Sequence, residues 1–251
     1  DGEEFLNDLP ETIQRAKDAG VEKVFLPAID LASSRRILDL CQQYPDYCYA
    51  MLGIHPEEVR PDWQQQLDCI KALTTPENFI AVGEVGLDYY WSREFESEQL
   101  AAFEAHVEWS IEAKKPLMIH CRKAQNEMVN LLKPYKDKLP GGVFHCFTGN
   151  EIEAQQLLQF DNFVLGIGGV STFKKSPLAE MLARVVPIDR IVLETDSPYM
   201  APVPYRGQRN ESAFVKEVLL KLADAYGVSP EELDRITTET AERVLGIAGM
   251  Q

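Results

Sequence analysis

The chain has 251 residues, 45% hydrophobic and 26% charged, which is enough apolar material for a full core and excludes a disordered, collagenous or fibrous protein. Asp and Glu total 40 against 25 Lys and Arg, a net charge of −15, so the chain as a whole is ill suited to coating DNA or an anionic membrane. Any action on nucleic acid must be confined to a local cationic cleft or a bound metal.

The first helical signal runs from about 9 to 19, with Asp8 and Glu11 as a capping pair, Pro10 in the first turn and Gly20 as a stop. Three short apolar runs, 23–29, 47–54 and 79–85, read as strands. A helix follows over 98–114, where Leu100, Phe103, Val107 and Ile111 recur at spacings of three and four, and Lys114 and Lys115 suit its C-terminal dipole. Four more strands are expected at 116–121, 142–147, 162–168 and 190–195. Ser229-Pro230-Glu231-Glu232 then opens a last helix to about Val244 as a capping box with proline at the first helical position.

Strands alternating with amphipathic stretches predict a parallel α/β sheet, and the absence of repeats or linkers predicts one domain over 1–251. The chain opens with a helix and yields seven strands, whereas a TIM (β/α)8 barrel needs eight. A barrel whose first strand would precede residue 1 is the expectation, with exposed edges beside 23–29 and 190–195. An open doubly wound sheet is the alternative, disfavoured because no G-x-G-x-x-G follows the first strand.

Polar residues fall at the ends of these strands. Glu84, His120 and His145 close three of them and Asp196 directly follows a fourth, so in a barrel all would converge on the mouth where active sites of this fold are built. One such residue alone is usually a satisfied rim group; recurrence at four strand ends favours metal ligation. His55, in Gly53-Ile54-His55-Pro56, ends another strand, whereas His106 lies within the 98–114 helix and is expected to be structural. Imidazoles and carboxylates on a rigid rim suit Zn²⁺ or Mn²⁺, Mg²⁺ preferring more oxygen ligands and waters. Cys121 and Cys146 are read as packing thiols. The odd count of five cysteines, without a CxxC pair, signal peptide or long apolar run, predicts a cytoplasmic protein without a disulfide framework or membrane span. Arg122 and the segment Tyr205-Arg206-Gly207-Gln208-Arg209-Asn210 read as a phosphate or carboxylate clamp, the bland alternative being a loop of solvated arginines. Gly166-Ile167-Gly168-Gly169 is expected to form a tight turn rather than an anion site.

The motifs Gly-Ile-His-Pro (53–56), Gly-Glu-Val-Gly-Leu-Asp-Tyr (83–89), Ile-His-Cys-Arg (119–122), His-Cys-Phe-Thr-Gly (145–149), Glu-Thr-Asp-Ser-Pro-Tyr (194–199) and Arg-Gly-x-Arg-Asn (206–210) resemble, in order, those of the TatD family of metal-dependent deoxyribonucleases. The resemblance implies a TIM barrel of the metal-dependent amidohydrolase superfamily with a two-metal site. The implied activity is a DNA phosphodiesterase, often a 3′ to 5′ exonuclease. It implies that Glu84 bridges two metals, that His120 and His145 hold the second, and that Asp196 binds the first and serves as general base. His55, Arg122, Tyr199, Arg206, Arg209 and Asn210 would bind substrate. Two departures stand out: Ser212 replaces a frequent proline, and the chain opens at Asp1-Gly2-Glu3 without the Thr-His-x-His-Leu-Asp motif whose histidines bind the first metal in the family. Up to two divalent ions are expected where such a motif precedes Asp1, otherwise one tight site, with Mg²⁺ or Mn²⁺ supporting activity and Zn²⁺ as an option. The expected partner is DNA, with no membrane and a monomeric state. Competing readings are an amide or ester hydrolase, for example on aminoacyl-tRNA, and a barrel inactive for want of the two histidines.

Overall fold

The computed structural model describes residues 2–248. All seven predicted strands are present: β1 (Val24–Pro27), β2 (Cys48–Leu52), β3 (Ala81–Asp88), β4 (Leu117–Arg122), β5 (Gly142–Phe144), β6 (Phe163–Ile167) and β7 (Ile191–Leu193). They pair in parallel in the order β1 to β7. Sequential order without a switch point is the winding of a barrel and sets the doubly wound alternative aside. Among the described residues, β1 and β7 are the sheet's edges.

Nine α-helices surround the sheet among the described residues: α1 (Leu9–Asp18), α2 (Leu31–Gln43), α3 (Trp63–Ala72), α4 (Glu96–Ala113), α5 (Gln125–Leu132), α6 (Glu151–Leu157), α7 (Leu178–Val185), α8 (Val215–Tyr226) and α9 (Pro230–Leu245). Strand alternation sends side chains to both faces of the sheet. Met51, Ala81, Met118, Val143, Val164 and Val192, one from each of β2 to β7, form a buried layer closed by Val244, Leu245 and Ile247 at the end of α9. A larger cluster, including Leu52, Val82, Leu117, Leu165 and Ile191, joins the strands to the helices. None of the described helices is long and apolar enough to cross a membrane.

Several local expectations need adjustment. Phe103 and Val107 of α4 are buried as the spacing predicted, but the helix starts earlier, at Glu96, and ends at Lys114 in a left-handed conformation with φ 53°. Asp8 is the N-cap of α1 without making a capping bond. Its carboxylate is engaged instead by Arg209 at 2.7 Å and Arg15 at 3.2 Å, charge-assisted bonds stronger than one to a backbone N–H. Ser229 does accept from the Glu232 N–H, at 3.2 Å. The Gly166–Gly169 segment is glycine for close packing. A Cβ on Gly166 would collide with the Glu194 carboxylate, and one on Gly169 with the Met200 carbonyl.

His106 is structural, as expected. Its Nε2 accepts from the Ile54 N–H at 3.2 Å and its Nδ1 donates to the Ala102 carbonyl at 2.6 Å. Burial pushes its pKa down to about 4, so it stays neutral and fixes the chain beside His55.

Candidate metal centre

The strands end differently from the apolar runs, and the difference builds the site. β3 continues past Glu84 to Asp88, with a register shift between Val82 and Val85. Glu84 and Asp88 are four residues apart with Gly86 between them, while Val85 and Leu87 join the helix-facing core. β5 stops at Phe144, so His145 lies just beyond it, held by its N–H on the Ile119 carbonyl of β4 at 2.8 Å. β7 stops at Leu193. Glu194 follows with its N–H on the Ile167 carbonyl at 3.1 Å, and Asp196 turns back with φ 58°. His55 follows β2 and is tied through its N–H to the Ile29 carbonyl at 2.8 Å.

Four carboxylates and three imidazoles meet here. Glu84 Oε1 lies 2.9 Å from His120 Nδ1, 3.5 Å from His55 Nε2 and 3.9 Å from His145 Nε2. His145 Nε2 is 3.2 Å from Asp196 Oδ1. Behind the imidazoles stand two carboxylates that sequence reading left without a role. His120 Nε2–H donates to Asp88 Oδ2 at 2.8 Å, and His145 Nδ1–H donates to Glu194 Oε2 at 2.8 Å. Each outer bond fixes the ring's orientation, so that His120 Nδ1 and His145 Nε2 point at Glu84 and offer their lone pairs to an ion once their protons are displaced.

His55 is set the other way. Its Nδ1 accepts the Glu57 N–H at 3.1 Å, so the proton of the neutral ring sits on Nε2 and points into the centre, 3.2 Å from His120 Nδ1. His55, Glu84 and His120 could together surround an ion, as could His145, Cys146 and Asp196. The tautomer makes His55 a hydrogen-bond donor to the centre. Burial, and secondarily the charge of Glu194, push the Cys146 thiol up to about 12, while its Sγ lies among the possible ligand atoms of the second group rather than solely in packing.

The electrostatics call for a cation. Burial alone would lower the His120 pKa, but the bonds to Asp88 and Glu84 override it and lift it to about 9. Burial is likewise overridden at His145 by the charges of Glu194 and Glu84, which raise it well above its ordinary value. Glu84 is buried, which would raise its pKa, yet His145, His120 and His55 hold it well below the usual carboxylate range. Two imidazole lone pairs converging with carboxylates and buttressed by outer carboxylates form the donor set of a divalent transition ion. Glu84, His120, His145 and Asp196 fit that role.

The remaining sequence-predicted residues divide. Arg122 is exposed and stacks over Tyr90 at 3.6 Å. Tyr199 is 64% exposed, its N–H donating to the Asp196 carbonyl at 2.8 Å. Arg206 is exposed and lies over the Phe173 ring at 3.7 Å. Arg209 is not brought to the carboxylate and imidazole cluster: it binds Asp8 with both terminal nitrogens at 2.7 Å and lies over Phe5 at 4.5 Å. Asn210 is fully buried and its amide is committed to the Thr195 and Tyr199 carbonyls, at 2.6 and 2.7 Å. Arg209 and Asn210 therefore shape the loop, which leaves Arg122 and Arg206 as the exposed guanidiniums of the expected clamp. Asp88 and Glu194 were detectable by period two, since each lies an even number of residues from a predicted ligand in the same motif.

Residues 1–246 match the family model described as TatD related DNase. The chain is 35% identical to the uncharacterized metal-dependent hydrolase YabD of Bacillus subtilis, over 98% of this chain and 95% of that protein. It is 33% identical to the 3′-5′ ssDNA/RNA exonuclease TatD of Citrobacter rodentium, over 97% and 94%. Among solved structures, the TatD homolog YjjV of Escherichia coli superposes with a TM-score of 0.87 at 27% identity, covering 97% of this chain and 94% of that one.

Proposed function

The chain belongs to the TatD family of metal-dependent hydrolases, and from that premise we propose that it cleaves phosphodiester bonds of nucleic acid, trimming single strands from the 3′ end. The observation that carries the reading is the pair of buttressed imidazoles, Asp88 with His120 and Glu194 with His145, aimed at Glu84 beside Asp196. A divalent ion held there supplies Lewis acidity toward water and a phosphoryl oxygen.

The chain's own residues do the rest. Glu84, His120, His145 and Asp196 hold the charge in place. The Asp196 carboxylate, partly open to solvent, accepts the proton of the attacking water. His55 Nε2–H, facing the centre, donates to a phosphate oxygen. Arg122 and Arg206 meet the backbone at the rim, where guanidinium binds phosphate. Water adds to phosphorus and the ester P–O bond breaks, giving a phosphomonoester and a free hydroxyl.

The test offers oligonucleotides labelled at either end, together with amide and carboxylic ester substrates, with Mg²⁺, Mn²⁺ or Zn²⁺. A ladder shortening from the 3′ end supports the proposal. Cleavage confined to amides or esters would overturn it.

A further inference from the structure

Just outside the centre, β3 and β4 end in a cluster that hydrolysis does not use. Tyr90 and Trp91 are 48% and 66% exposed, and their rings meet edge to face at 4.8 Å. The Arg122 guanidinium lies 3.6 Å from the Tyr90 ring centroid and 5.4 Å from that of Trp91. It makes no salt bridge among the described residues, although its charge is felt by Asp88 and, against burial, helps hold that carboxyl below its ordinary pKa. An isolated exposed aromatic is ordinary. Two in sequence, joined to an exposed guanidinium and wired to the metal centre, are not.

The wiring is short. Asp88 Oδ2 accepts from the His120 imidazole while its Oδ1 accepts the Tyr90 N–H, both at 2.8 Å. Asp88 is the register partner of Arg122, whose carbonyl accepts the Tyr89 N–H at 2.9 Å. One buried carboxylate thus fixes both a metal-ligand imidazole and the backbone that carries the aromatic pair.

We propose that Tyr90, Trp91 and Arg122 form a stacking platform for an unpaired base of the strand whose phosphate lies at the metal centre, a role that rests on the phosphodiesterase reading. Aromatic faces bind bases of any identity, and a guanidinium can stack on a ring while presenting its N–H groups to phosphate. A base inside a duplex has both faces covered and cannot use the platform. The site therefore selects single strands and frayed ends by the presence of a free base, without reading sequence.

Trp91 is its own reporter, since Trp63 and Trp109 are only 8% and 5% exposed. The protein is titrated in chelator with a short oligothymidylate and with an abasic chain of equal length, following tryptophan fluorescence and the anisotropy of a labelled oligonucleotide. The thymidylate is expected to quench Trp91 and to bind about tenfold more tightly than the abasic chain. The double variant Tyr90→Ala, Trp91→Ala should lose that preference, and Trp91→Phe should retain it in the anisotropy measurement. With Mn²⁺ added, the kcat/KM ratio of the two substrates should collapse in the double variant alone. Equal binding of the two chains by the parent, or an unchanged ratio in the double variant, would overturn the platform, and cleavage of thymidylate in that case leaves the phosphodiesterase reading standing. Base-dependent binding without cleavage under any metal overturns the phosphodiesterase reading instead, and neither binding nor cleavage overturns both.

Discussion

Glu84 Oε1 has three imidazole nitrogens within 3.9 Å, so Glu84→Gln removes the central negative charge while keeping the side chain's volume. Metal content and turnover should fall together, with activity reduced by at least about a hundredfold, measured by elemental analysis beside an oligonucleotide assay. The histidines set the pH dependence. In the metal-free protein His120 keeps its proton up to about 9 and His145 is also raised well above its ordinary value, so an ion taking both must displace two protons, and affinity should rise about a hundredfold per pH unit below that range. Stability runs the opposite way. The folded pKa lies above the ordinary 6.5, so the stabilisation is complete below about 6.5 and is lost as pH rises through about 9. Thermal melts of metal-free protein should therefore show Tm falling across that window, and metal-loaded protein should not share the fall. The proposed inner ligands could be singled out in sequence because they stand where apolar runs stop. Arg209 and Asn210 were misleading because the partner that claims Arg209 lies 201 residues away in sequence, and Asn210 binds carbonyls that any residue supplies.

At the scale of elements, β3 and β4 must approach closely at Gly86. Its φ is 144° and a Cβ there would run into the His120 carbonyl. Gly86→Ala should displace the strand pair that carries Glu84, Asp88 and His120, lowering Tm and metal content together, as differential scanning calorimetry and elemental analysis would register. The two loop arginines should separate by phenotype. Arg209 and Arg15 join α1 to the segment before α8 through Asp8 and the buried Glu211, with Arg15 on Glu211 at 2.6 and 2.7 Å. Arg209→Ala is expected to cost about 1–2 kcal/mol in chemical denaturation with little change in oligonucleotide affinity. Arg206→Ala should weaken binding several-fold at unchanged stability. The seven strands could be located from sequence, since short apolar runs between amphipathic stretches leave few alternatives. Their ends could not, because pairing with the neighbouring strand decides where each stops: β3 overran its apolar run by three residues to reach register with Arg122, whereas β5 ended before His145.

Over the whole molecule the net charge is −15, and Arg122 and Arg206 are exposed cations. On the proposed function, long-range attraction for nucleic acid would be weak, and affinity would rest on a bound cation, the two guanidiniums and stacking. A plot of log affinity against log salt for a single strand should have a slope of only about −1 to −2, and a much steeper slope would reveal a larger phosphate-binding surface. The segment after β7 has a further consequence. Asn210 bonds back to Thr195, Pro198 and Tyr199, the Val203 N–H reaches Thr172, and Tyr205 stacks on Phe214 at 3.9 Å. Both flanks of the tip are thus sewn to the body, while Arg206, Gly207 and Gln208 stand in solvent. A peptide bond cut after Arg206 would leave two fragments that remain joined, with Asp196 still held in place, so this tip could be opened, lengthened or exchanged without dismantling the barrel.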